Sequence, residues 1–326
     1  MKQKHVTAKF GFFALLGLLA LALSGCISSV SAHEIEQAAS PSPTIITGAT
    51  RTHPAVDPRS ATSTLRSVPR PTRLAATRAT VTPQPTTQPS PTATPLNPEA
   101  WKDWPELPVV SDELREIYRQ GVAMGNNPHA FSVLGDCQSQ PDVFMGVYDS
   151  DPQLVQQLPV HLQQTVRNFS GSFDRYSPAV KDGTTEGALL YALWNDNKEN
   201  KCEYGETPLE CELRVHNPSI VFIHVGTHWE ARNRIYLNKI IDRILEHRAV
   251  PVLVTKADNL ELDERINRTY AEIALERGLP LWNFFGSVQH LPNNGMKDEM
   301  YLSDEALIIH RNGALEALDA VWRAVK

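Results

Sequence analysis

Between Ser219 and Val321 the chain alternates two kinds of apolar pattern, and this alternation restricts the fold more than any other feature. Ser219 to Val225 (SIVFIHV) and Val250 to Lys256 (VPVLVTK) are continuous apolar runs of strand length, the pattern of strands covered on both faces. Pro280 to Phe284 reads as a further strand. Between them, Glu230 to His247 places Ile235, Leu237, Ile240, Ile241 and Ile244 along one side of a helix, and Asp263 to Arg277 predicts another, closed by Gly278. A last helix starts near Ser303, whose hydroxyl can cap it, with Asp304 and Glu305 in its first turn. It carries Ala306, Leu307, Ile309, Leu315, Leu318 and Val321. Strands joined by helical crossovers run parallel. Upstream, Phe131 to Leu134 supplies an earlier strand, with a weaker strand expected at Val143 to Tyr148 and a helix near Glu186 to Trp194. The expected fold class is α/β: a three-layer α/β/α sandwich, flavodoxin-like, around a parallel central sheet.

The N-terminal third has a different composition. Residues 1–25 read as an export signal, with Lys2, Lys4 and Lys9 ahead of an apolar run from Phe10 to Leu23 that ends in small residues. Roughly fourteen apolar residues are short for a bilayer span. Leu23-Ser24-Gly25-Cys26 matches a bacterial lipobox; that resemblance implies cleavage before Cys26 and acylation of it, giving an extracytoplasmic lipoprotein whose partner is membrane lipid. Residues 26–98, dominated by Pro, Thr, Ser and Ala, lack the apolar area to offset the entropy of ordering and read as a disordered tether. In its middle, Arg51, Arg59, Arg66, Arg70, Arg73 and Arg78 face only Asp57. That suits an anionic membrane or wall polymer, and equally a linker kept soluble by charge. Residues 99–326 are one domain's worth of chain with no internal repeat. The formal net charge of −6 includes the basic tether, so the domain alone is more acidic still, which excludes nucleic acid as a partner.

Of the four cysteines, Cys26 is the expected lipidation site. In an oxidising compartment Cys202 and Cys211 are candidates for a local disulfide across KCEYGETPLECEL, leaving Cys137 unpaired; pairing of Cys137 with one of the other two is the structural alternative. Cys137 sits in FSVLGDCQS, where an apolar run stops at Gly135-Asp136 and the chain would turn into a helix. In a doubly wound sheet that is where ligands collect.

FSVLGDCQS resembles the Gly-Asp-Ser block that opens the SGNH/GDSL hydrolases, with Cys137 in the serine's place. Asp182-Gly183-Thr184-Thr185 is similar to the family's second block, Gly171 being the other choice. Gly226-Thr227-His228 falls where the family has Gly-x-Asn, and Asp298-Glu299-Met300-Tyr301 where it has Asp-x-x-His. The resemblance implies the SGNH hydrolase fold, a nucleophile at Cys137, an oxyanion hole at Gly183 and His228, and a base pair at Asp298 and Tyr301. The three discriminating side chains differ, however: Ser is Cys137, Asn is His228 and His is Tyr301. A phenol, titrating near pH ~10, is a poor general base at neutrality, whereas a thiol depends less on one. This leads to a rebuilt site in which Cys137 is a thiolate nucleophile, activated by His228 and a helix N-terminus. His290 and His310 are candidates to replace the missing imidazole, though neither stands at the family position. Cys137, His228, His290 and Asp298 are all zinc-ligating types, but no short-range ligand spacing joins them, so no metal or other cofactor is expected. Three readings remain: a hydrolase-like domain with lost chemistry that binds an envelope glycan or ester ligand, an active Cys-dependent ester hydrolase or acyltransferase, and a structural surface domain.

Overall fold

A computed structural model describes residues 96–228 and 230–326. The expected export signal, Cys26 and almost all of the tether lie outside the described residues.

Four parallel strands stand side by side in chain order: β1 Asn127–Gly135, β2 Pro218–His224, β3 Val250–Val254 and β4 Leu281–Trp282. Their apolar runs are continuous because both faces are covered; Phe131, Leu134, Ile220, Phe222, Ile223, Val252 and Leu253 are all fully buried. On the free side of β1, Gly135 makes an isolated parallel bridge to Val180. Two hydrogen bonds hold it, Gly135 N–H to the Ala179 carbonyl at 2.9 Å and Lys181 N–H to the Gly135 carbonyl at 3.2 Å. Counted as a rudimentary strand, it gives the sheet the doubly wound order 2-1-3-4-5.

Helices cover both faces. On one, α1 (Asp112–Met124), α2 (Val160–Asn168) and α6 (Asp304–Val325) pack together; on the other lie α3 (Pro208–His216) against β1, α4 (Asn233–Glu246) against β3 and α5 (Arg265–Arg277) against β3 and β4. The fold is the three-layer α/β/α sandwich. Ser303 caps α6, its hydroxyl accepting from Ala306 N–H at 3.2 Å, and α5 ends at Gly278 in the left-handed conformation. Because the chain leaves β1 toward the face of α2 and leaves β2 toward the face of α4, the carboxyl ends of β1 and β2 diverge into a crevice.

Two expected elements are absent. Val143 to Tyr148 is not a strand: Phe144 and Gly146 N–H groups bond back to Gln140 and Pro141 carbonyls, and a short helix follows at Val147–Ser150. Phe144, Met145 and Tyr148 are the buried residues there, spaced for a helical turn and not for a pleat. The stretch from Glu186 to Trp194 holds only two 3₁₀ turns, Ala188–Leu190 and Ala192–Trp194.

Candidate active site

The crevice is built from the ends of β1 and β2. After β1, Asp136 accepts a hydrogen bond from Gln138 N–H at 3.1 Å and starts a 3₁₀ turn of only Cys137–Ser139. The expected helix N-terminus behind Cys137 is therefore missing, and so few peptide units supply little dipole to a thiolate. The turn folds tightly onto the strand: a Cβ on Gly135 would lie 2.2 Å from the Ser139 hydroxyl. Ser139 is fastened in turn to His224 Nδ1 at 2.8 Å, and both side chains are buried, so this serine–imidazole pair belongs to the core.

Cys137 is 9% exposed and unpaired, while Cys202 and Cys211 are joined (S–S 2.01 Å). Burial, reinforced by the Asp136 and Asp182 carboxylates, pushes the Cys137 thiol up to about 12. Both burial and the neighbouring carboxylates act against the thiolate expected from the sequence, although the imidazole is near. Asp136 is pushed up to about 7, chiefly by its own burial, with the Asp258 carboxylate adding to it.

After β2, Gly226 adopts φ 131°, and a Cβ there would lie 2.8 Å from Ile266 Cγ2, so the bend requires glycine. Thr227 donates to Asp258 at 2.8 Å. Next comes His228, its Nε2 3.6 Å from Asp182 Oδ1. One ligating atom each from Cys137, Asp182 and His228 lie within 4.8 Å of one another. Although buried, His228 Nε2 makes no hydrogen bond. The Val180 bridge to β1 carries the 181–185 loop to the crevice, and Gly183 with it. Gly171 belongs elsewhere, donating to the Asp149 carboxylate at 3.0 Å. Sequence reasoning took Gly183 from Asp182-Gly183-Thr184-Thr185 and passed over Asp182, because a lone loop carboxylate carries no distinguishing pattern.

The Asp298–Tyr301 turn before α6 holds no imidazole. Tyr301 is 48% exposed, and Asp298 accepts from the Met300 and Tyr301 N–H groups at 2.8 Å each. Those two bonds hold the Asp298 carboxyl below its usual range. Gln138 donates its side-chain amide to the Met300 carbonyl, tying this loop to the cysteine turn. His290 is exposed. His310 is fully buried between Phe144 and Phe284, each with ring centroids 4.4 Å away. His310, sealed in the core, does not replace the missing base, and among the described residues the group that assembles is Cys137, Asp182 and His228, not Cys137, His228, His290 and Asp298.

Two further features frame the crevice. Beyond β3, buried Lys256 bonds Asp258 and Glu261, both at 2.6 Å. Beside the 181–187 loop a groove of about 820 Å³ is lined by Tyr191, Trp194, Tyr236, Glu210, Glu230 and Lys239 among others. Trp194 joins groove to loop, donating from Nε1 to Thr184 at 3.2 Å and lying under the Lys181 ammonium at 4.5 Å.

No protein-family model and no curated protein matches the chain. Solved structures do. A GDSL-like lipase from Bacteroides thetaiotaomicron matches at 12% identity and a TM-score of 0.38, over 64% of this chain and 98% of the lipase. A psychrotrophic esterase from a Pseudoalteromonas species matches at 15% identity and 0.40, over 60% and 99% respectively. An acetylxylan esterase from Geobacillus stearothermophilus, solved as a catalytic mutant, matches at 14% and 0.40, over 59% and 95%. At such identities the likeness concerns the fold alone.

Proposed function

We propose that residues 99–326 form an SGNH/GDSL-hydrolase-like domain, held outside the cytoplasm by acylated Cys26, that binds envelope carbohydrate and has lost the family's ester chemistry. The observation that carries this reading is the sequence Asp298-Glu299-Met300-Tyr301: the resemblance to Asp-x-x-His puts a tyrosine in the imidazole's place, and a phenol is a poor general base near neutrality. The groove supports binding. Trp194, Tyr191 and Tyr236 supply ring faces for the apolar C–H surface of sugar rings, and Glu210 and Glu230 supply acceptors for hydroxyls. The test is calorimetric titration of soluble fragments of envelope glycan into the full chain. Binding is expected, weakened about tenfold by Trp194→Ala, the value of one lost ring contact; no binding, or binding indifferent to Trp194, overturns it.

One observation favours a second reading. Cys137, His228 and Asp182 stand within 4.8 Å of one another, so that small side-chain movements would make them the nucleophile, base and orienting carboxylate of a cysteine-dependent ester hydrolase or acyltransferase. Turnover of p-nitrophenyl acetate that depends on both Cys137 and His228 would select it.

A further inference from the structure

We propose that Cys137, Asp182 and His228 bind a divalent transition-metal ion at the mouth of the sheet, with zinc the ion their donors suit. A thiol sulfur, an imidazole nitrogen and a carboxylate oxygen are the three donor types zinc takes, and three protein ligands leave a fourth position to water or to a group on a bound ligand.

The spacing fits. Ligand atoms on one tetrahedral zinc, at about 2.3 Å for sulfur and about 2.0–2.2 Å for nitrogen and oxygen, stand about 3.5 Å from one another. His228 Nε2 and Asp182 Oδ1 are 3.6 Å apart. That is too long for a hydrogen bond, and it is the separation of two atoms sharing an ion. The three ligating atoms lie within 4.8 Å of one another, so closing on a metal requires shifts of no more than about 1 Å. A second observation is independent of that spacing: His228 Nε2 is buried without any hydrogen bond, and a buried nitrogen lacking a partner is costly unless something binds it.

The supports are rigid. Asp136 fixes the cysteine turn through Gln138 N–H, Thr227 fixes the His228 bend through Asp258, and the Val180 bridge ties the Asp182 loop to β1. On binding, the S–H bond breaks, its proton goes to solvent and an S–Zn bond forms; nothing is oxidised or reduced. The other cysteine group, Cys202, Glu206 and Cys211, is no competitor, since both of its sulfurs are in the disulfide. The site does not depend on the carbohydrate reading, because the groove is lined by other residues.

The full chain, stripped with a chelator, is titrated with Co²⁺ and then with Zn²⁺ in competition. The wild type is expected to take up one equivalent at this site, with a thiolate-to-cobalt charge-transfer band and the intense visible absorption of a four-coordinate ion, both displaced by zinc. Cys137→Ser abolishes the charge-transfer band, even with Cys26 still present. His228→Ala weakens binding by more than the roughly 10–100-fold that disturbing an outer-shell partner costs. Asp182→Asn, at a side chain 67% exposed, weakens it in a protein whose fold that change leaves intact. Absence of the band in the wild type, or a band and affinity that survive all three substitutions, overturns the site. Ester turnover appearing only with zinc would overturn the binding-domain reading and leave the metal site standing; metal uptake without glycan binding would do the same.

Discussion

The crevice at β1 and β2 and the nest at the end of β3 are both gatherings of ionisable side chains outside strand ends, yet they are finished to different degrees. In the nest, Lys256 is 4% exposed and meets Asp258 and Glu261 at 2.6 Å each. Glu261 also accepts from Ile266 N–H at 3.3 Å, at the start of α5. The buried cation is matched by carboxylates on the same loop. In the crevice, Cys137, Asp182 and His228 come within 4.8 Å of one another with the buried Nε2 of His228 making no hydrogen bond. A complete polar network holds a fold together; an incomplete one that solvent can reach through Asp182 is a place for something else to bind.

The comparison breaks first at the nest. Lys256→Met leaves two buried carboxylates facing each other and is expected to lower unfolding stability by about 3–5 kcal/mol in denaturant titrations. A loss below about 1 kcal/mol would mean the nest is no more structural than the crevice.

His310 sharpens the contrast from a third direction, being as buried as Lys256 but with no partner on either nitrogen. Burial, with neighbouring His224 adding to it, holds its pKa well below 6.5. The unfolded chain, titrating near 6.5, takes up a proton that the folded one refuses, so His310 costs stability as pH falls below that value. His310→Phe removes this cost. Its stability difference from wild type should be flat above about pH 7 and rise in the variant's favour by about 1.4 kcal/mol per pH unit below 6.5. A difference constant from pH 8 to 5 would contradict it.

The smallest effect is expected at the crevice itself. In metal-free protein His228→Ala and Asp182→Asn should each change stability by no more than about 0.5 kcal/mol, since the 3.6 Å pair they form, with Asp182 largely exposed, is of the weak surface kind. A loss as large as that of Lys256→Met would erase the distinction.

The sheet was legible because strands buried on both faces write themselves as unbroken apolar runs, as SIVFIHV and VPVLVTK do, and because Ser303 and Gly278 mark helix ends by chemistry local to the chain. The first half was not. α3 carries a Thr207–Glu210 capping box and Pro208 in its first turn, but these fall inside the segment bounded by Cys202 and Cys211, where the sequence draws attention to a disulfide and not to a helix. Val143 to Tyr148 has apolar content without a pleat's alternation, and packing decided its shape. Cys137 and His228 could be placed at strand ends from the sequence, since a strand end is a property of one segment. The charge around the sulfur could not, because it depends on Asp182 arriving from a different loop. Nor could the shortness of the turn after Asp136, which is set by the close packing of Ser139 over Gly135.

The most direct test of the central claim, that the fold persists while its ester chemistry is gone, is the initial rate of p-nitrophenyl acetate hydrolysis by the chelator-treated full chain beside its Cys137→Ala variant. The account predicts identical rates, both at the buffer background. A wild-type rate reproducibly above that of Cys137→Ala would show a working nucleophile at the sheet's mouth and contradict it.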